Sequence, residues 1–342
     1  MTTTTTSTSL RSCRTARRLA LVLLALSILT ATAPAAAQPA SRVFRVGYLA
    51  SPSRTPDGNA PPVFREAMKE LGYVEGKNVA YEVRFAEGVL DRLPALAAEI
   101  ARTKVDVIAT QGGLATVAAR QAAPTVPIVI AVAAGDAVAT GLISSLARPG
   151  GNVTGMTDEV VQLSAKRMEL LKQAVPKAGR IAVLWNRDDE GMTIRYREIE
   201  KAARILNVDV QAFAVRAPDD FQPAFAEMAR RRPDALFVVT DALTNVHRRH
   251  LIEFAASQRI PAMYELGFYV RDGGLIAYGP DGRDELVRAA YFVDRILKGA
   301  RPADLPAEQP TRYYLSINLK AAAAMGLTLP PSLLMRADNV VE

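Results

Sequence analysis

Residues that could do chemistry are scattered through this 342-residue chain rather than gathered into a reactive set. There is no G-x-S-x-G elbow, no phosphate loop of the form G-x4-G-K-[ST], and no H-E-x-x-H. His247 and His250 are the only histidines and sit at i and i+3 of one expected helix, so they could share a metal ion. Two arginines separate them, and no third imidazole or nearby thiolate completes a ligand set, so a solvated helix face is the simpler reading. The runs Asp188-Asp189-Glu190 and Asp219-Asp220 precede expected helices, where carboxylates cap free N–H groups. No enzyme signature emerges, and no cofactor or metal is required.

What remains suits binding. In open parallel sheets, ligands settle beyond the carboxyl ends of the strands, where loops meet helix N-termini. Ser51 follows the first expected strand and Gln111, Gly112 and Gly113 follow the third. Two glycines there let a ligand reach the N–H groups of the next helix, which favours an anion such as a carboxylate; they could equally close a tight turn. Ala134-Gly135-Asp136 follows the fourth strand. Further on, Trp185-Asn186, Thr240-Asp241, Tyr264-Glu265 and Tyr278 each end a strand. Asp241 could pair with a ligand ammonium, although both it and Asp136 could cap helices. Trp185 or Tyr264 could stack on a ring or a cation, and Trp185 could instead belong to a core.

Short apolar runs alternating with amphipathic segments must position these residues. Strands are expected at 43–50, 79–85, 105–110 and 128–132, with helices at 62–71, 90–103 and 114–122 between them. This order predicts a parallel sheet covered on both faces. The pattern repeats with strands at 180–185, 208–215, 235–240, 261–263 and 275–278, and helices at 163–174, 193–206, 221–231, 246–258 and 284–298. The tail 312–317 reads as an edge strand, followed by a helix at 319–325. The Pro/Gly-rich stretch Arg148–Gly155 is the natural boundary between two α/β halves.

The first residues read as an address. Four arginines at positions 11–18 precede the apolar run Leu19–Leu29, and Ala35-Ala36-Ala37 offers the small residues a signal peptidase needs. Eleven residues rise about 16 Å as a helix, short of the roughly 30 Å bilayer core. A leader over residues 1–37, cleaved near Ala37, therefore predicts an exported, periplasmic protein. It takes with it Cys13, the only thiol, so the mature chain can form no disulfide. It also removes four of the 42 basic side chains and none of the 35 acidic ones, reducing the formal charge from +7 to +3. That is weak support for a nucleic-acid partner. With 49% hydrophobic and 23% charged residues, the chain is not disordered.

Several segments together carry a family resemblance. They are Phe64–Asn78 (FREAMKELGYVEGKN), Leu93–Ile108 (LPALAAEIARTKVDVI), Gly141–Gly155 (GLISSLARPGGNVTG), Lys166–Val175 (KRMELLKQAV), Arg180–Asn186 (RIAVLWN), Val293–Gln309 (VDRILKGARPADLPAEQ) and Ile317–Ala337 (INLKAAAAMGLTLPPSLLMRA). In this order the chain resembles the ABC-transporter substrate-binding proteins of the tryptophan/tyrosine-type uptake group. The resemblance implies two doubly wound parallel-sheet lobes of the type I periplasmic-binding fold, joined by three crossings and a hinge. It implies a small molecule held in the interlobe cleft by domain closure and passed to an ABC permease and its ATPase; ligand-characterised relatives take aromatic amino acids. The family's strand-end Asp falls on Asp241 and its loop after the third strand on Gln111–Gly113. Departures occur at Gly135-Asp136-Ala137, where many relatives have Gly-Asp-Pro, and at Asn186-Arg187-Asp188, where they have a Pro/Ser-rich loop. The expected organisation is 42–155 for the first lobe, 156–274 for the second, 275–300 returning to the first, and 301–342 forming the edge and tail of the second. The expectation is a monomeric binding component of an importer for an amino acid or a related organic anion. A sensor presenting its closed form to a membrane histidine kinase is the alternative.

Overall fold

A computed structural model describes residues 42–132, 135–158 and 160–342. The expected leader and its cleavage point, like Ala134, lie outside the described residues. Five strands, β1 (Phe44–Ala50), β2 (Val79–Phe85), β3 (Val107–Gln111), β4 (Ile128–Val132) and β5 (Val153–Gly155), pair in the order β2-β1-β3-β4-β5 and are all parallel. Helices α1 (Pro62–Glu70), α2 (Leu93–Arg102) and α3 (Gly113–Ala122) link them. Successive strand residues point to opposite faces. Val46, Tyr48 and Ala50 therefore enter one apolar cluster, while Leu49 enters the other.

The second sheet follows the same rule. Strands β6 (Arg180–Asn186), β7 (Asp209–Val215), β8 (Ala235–Val238), β9 (Ala262–Tyr264), β10 (Ile276–Gly279), β11 (Tyr314–Asn318) and β12 (Asn339–Val341) run in the order β12-β11-β10-β9-β8-β6-β7. Only β10 and β11 pair antiparallel. The intervening helices are α4 (Val160–Ala174), α5 (Glu190–Ile205), α6 (Phe221–Arg231), α7 (Ala242–Val246), α8 (Arg248–Ser257), α9 (Gly267–Arg271), α10 (Gly282–Leu297), α11 (Leu319–Ala324) and α12 (Pro331–Leu334). Ile181, Val183 and Trp185 face one apolar cluster, Ala182 and Leu184 the other.

The course of the chain differs from the expected one in four places, all after Gly155. Arg148–Gly155, the expected boundary, ends in β5, drawn alongside β4, while Asn152 donates to the carbonyls of Ala123 and Val126. The return expected at residue 275 comes later, because Ile276 still pairs with Met263 and Ile317 in the second sheet. Only α10 crosses, burying Ala289, Phe292 and Val293 with Val46, Tyr48 and Phe64 of the first lobe. Residues 301–308, expected at the edge of the second lobe, lie against the first: Thr154 Oγ1 donates to the Leu305 carbonyl and the Ala307 N–H to that of Leu146. The supposed edge strand at 312–317 is interior, since β12 pairs outside β11, and the expected helix 246–258 breaks into α7 and α8 at His247.

Three connections thus pass between the sheets, after β5, between β10 and α10, and before β11. The first and third lie side by side, with Met156 bridged to Glu308, the Glu308 N–H donating to Gly155 and the Thr157 N–H donating to Glu308.

Gly155, at the start of the first connection, has φ +115°, and a Cβ there would stand 2.4 Å from the Ile130 carbonyl oxygen. Gly155→Ala is expected to destabilise the mature chain by at least about 2 kcal/mol. Urea denaturation checks this; an unchanged midpoint would contradict the close approach.

Candidate functional site

The strand ends of the two sheets face each other across a cleft of about 770 Å³, open solvent at its mouth included. From the first sheet it is lined by Ser51, Gln111, Gly112 and Gly113, and from the second by Thr240, Asp241 and Asn245. The walls also touch directly. A Cβ on Gly88 would be 2.7 Å from Val246 Cγ2, and Leu90 packs into apolar clusters on both sides.

The first wall is mostly backbone. Gly112 is the N-cap of α3, with φ +101°, and carries no side chain to cap the helix. The first N–H groups of a helix have no intrahelical acceptor, so this end can receive an anion. Ser51 supports it: its hydroxyl is buried, has no hydrogen-bond partner among the described residues, and would be 2.8 Å from a Cβ on Gly112. Gln111 accepts from the Tyr48 hydroxyl at 3.0 Å, which leaves its NH2 as the donor available to the cleft.

The second wall is built from charged side chains. Asp241 takes the Thr244 N–H and hydroxyl on Oδ1, at 2.8 and 2.9 Å, and the Asn186 amide on Oδ2 at 2.7 Å. It does cap α7, and it lines the cleft as well. Asn186 is therefore fully buried behind the carboxylate that it orients. Nearby Asp189 caps α5 through the N–H groups of Gly191 and Met192 and also reaches the cleft. Burial raises both carboxylates above their ordinary range. Asp189 reaches about 6, through burial first and then the charge of Asp241, against the pull of its two N–H donors and Arg195. Among the described residues, neither has a cationic side chain in salt-bridge contact.

Beneath them lies a buried chain of charges, of which the sequence pointed only to Glu265. Glu265 Oε1 receives Arg167 Nη1 at 3.0 Å, and its Oε2 receives Arg195 Nη1 and the Thr240 N–H. Arg195 Nη2 continues to Asp158 Oδ2 at 2.6 Å, on the first interlobe connection. Arg167 Nε donates to the Tyr278 carbonyl at 2.7 Å, beside the second connection. All four ionic side chains are at most 7% exposed. Burial depresses the Arg167 pKa; for Arg195 burial acts likewise, but Glu265 and Asp158 outweigh it and push it up. Both guanidiniums are thus paired with protein carboxylates, and Arg195 Nε alone keeps no hydrogen-bond partner among the described residues. A polar residue just after each apolar strand was the available signal, but only for Glu265.

Four expected site residues stand elsewhere. Asp136 turns back to cap the N–H groups of Val138 and Ala139, leaving Gly135 on the cleft wall. Trp185 shares the inward parity of Ile181 and Val183, so it lies under α5, stacked 3.8 Å from the Tyr196 ring. Tyr264 follows the parity of Ala262 into the opposite cluster and stacks on Tyr269 at 4.8 Å. Tyr278 follows Ile276 and leans on Tyr313, presenting only its carbonyl to Arg167.

Two sheets, three connections and a polar cleft make an arrangement that fits a recorded sequence family. The profile for ABC transporter substrate binding proteins matches residues 61–341. The chain belongs to this family. It is the substrate-binding component of an ABC transporter, and the family works outside the cytoplasm. This substrate-binding protein is 26% identical over 278 residues to a tyrosine-binding protein of Clostridioides difficile, covering 81% of this chain and 78% of that one. Its fold matches an ABC domain from Streptococcus pneumoniae solved in complex with L-Trp, with a TM-score of 0.80 at 23% identity, over 87% of this chain and all of that one. Against the ligand-free, open structure of a substrate-binding protein with adhesive properties from Clostridium difficile, the TM-score is 0.61 at 22% identity, over 87% and 99% of the two chains.

Two outcomes follow for this substrate-binding protein. Because the folded pKa of Asp189 lies above its unfolded value, the ionised group opposes folding; the penalty is absent below about pH 4, grows towards pH 6 and is complete above it. Asp189→Asn keeps a capping side chain and is expected to raise the ligand-free melting temperature at pH 8 but not at pH 4; equal effects at both would remove the electrostatic explanation. Glu265→Gln leaves two buried arginines facing one another without their shared carboxylate, and is expected to cost on the order of 3–5 kcal/mol in chemical denaturation.

Proposed function

We propose that this protein binds an amino acid with an aromatic side chain in the cleft and delivers it unchanged to an ABC permease and ATPase. The observation that carries this reading is the opposition of two unlike walls. The uncapped start of α3, with the free Ser51 hydroxyl, suits a carboxylate. Asp241 and Asp189, with no salt-bridge partner among the described residues, suit an ammonium. Both arginines at the cleft are already neutralised, so the ligand carboxylate goes to the backbone wall. Pro52, Leu90, Leu114, Met192 and Leu266 leave an apolar space for a side chain.

Relatives support the ligand class: one is named for tyrosine, and another was solved with L-Trp. The better fit to the Trp-bound structure than to the open, ligand-free one, at similar identity and coverage, supports reading this arrangement of the lobes as the closed one. Closure lets a ligand touching both walls favour one state over the other, which is how a binding protein signals occupancy. In this reading the chain is exported to the periplasm through the leader at 1–37, cleaved near Ala37, and acts as a monomer.

Calorimetry of the mature chain with L-tyrosine and L-tryptophan tests the proposal. Stoichiometric binding, with the ligand recovered intact, is the expected result, and Asp241→Ala is expected to weaken it at least tenfold. Binding that ignores Asp241, or turnover of the ligand, would overturn it.

A further inference from the structure

Resting on the amino-acid reading, we infer that Asn245 selects side chains whose aromatic ring carries a hydrogen-bond donor, a phenol O–H or an indole N–H, and disfavours phenylalanine. Asn245 lines the cleft one helical turn beyond Asp241, and its N–H donates to the Asp241 carbonyl. Asp241, the N-cap, and Asn245 thus bracket the single turn of α7, and both line the cleft. A ligand whose ammonium meets Asp241 therefore runs its side chain along the face that carries Asn245.

The Asn245 Oδ1 atom is shielded from solvent and has no hydrogen-bond partner. A buried acceptor left unsatisfied is costly, on a scale that a single donor recovers. Among the described residues, no protein group donates to it. Leu90, Ala242 and Leu266 also line the cleft, and their side chains offer a ring apolar surface without a donor. An apolar ring would bury the orphan acceptor unchanged; a donor-bearing ring would satisfy it. Sites built to pair with a ligand O–H or N–H reject the analogue lacking it more strongly than an apolar pocket rejects a size change.

The test is isothermal titration of the mature chain with L-tyrosine against L-phenylalanine, and with L-tryptophan against 1-methyl-L-tryptophan, repeated on Asn245→Leu. In the wild-type chain the donor-bearing member of the bound pair is expected to be at least tenfold tighter, and in Asn245→Leu the preference is expected to fall below threefold. Phenylalanine binding as tightly as tyrosine, or a preference that survives Asn245→Leu, overturns the selection while leaving the amino-acid reading intact. Binding of none of the four overturns both. The wild-type series decides the matter alone if the variant does not fold.

Discussion

The cleft rests on a line of four buried ions, Arg167, Glu265, Arg195 and Asp158. Stripping such groups of water is expensive, and a buried ion pair is often no more stabilising than well-packed apolar residues would be. The physical value of this one is therefore positional. Glu265 follows β9, Arg195 projects from α5, Arg167 from α4, and Asp158 sits on the first connection between the lobes. Arg167 also holds the carbonyl of Tyr278 at the mouth of the second connection. Asp158 on the first interlobe connection and Tyr278 beside the second are thereby both tied to the floor of the site.

The two walls divide the chemistry unequally. The first lobe presents backbone N–H groups, a hydroxyl and small residues, which need only a correctly placed helix end. The second presents carboxylates whose own side chains are fixed by Asn186, Thr244 and the start of α5. Preorganised groups of this kind lose little freedom when a ligand arrives, so more of the contact energy remains available to favour one lobe arrangement. Nothing in that division requires a nucleophile, which suits a family of substrate-binding proteins.

Much of the architecture could be read from periodicity. The alternation at β2 and the apolar run at β4 define strands whose boundaries agree with the structure, as does the 3.6-residue pattern over α6. Connectivity was harder, because β10 and α10 are separated by only a Pro-Asp pair and nothing local tells which sheet a short strand joins. At the site, the strand-end rule found Ser51, Gln111, Gly112, Gly113 and Asp241 on the cleft wall. It erred with aromatics. Trp185, Tyr264 and Tyr278 stand at strand ends, but parity with Ile181, Ala262 and Ile276 sends their rings into the layers beneath the helices. Arg167 and Arg195 were invisible for the opposite reason: they are mid-helix residues whose partners lie 98 and 70 positions away, and helix pattern alone reads such charges as solvated.

The threading of α10 has a consequence for biogenesis. One face of the first sheet is covered by a helix that ends at Leu297, while the second sheet is completed only by β11 and β12, nearer the C-terminus. During synthesis, then, the apolar layer formed by Val46, Tyr48 and Phe64 lacks its second covering helix until nearly nine-tenths of the polypeptide has been made. Such long-range closure slows folding. The helix that completes the first lobe therefore belongs to the last part of the chain to be made.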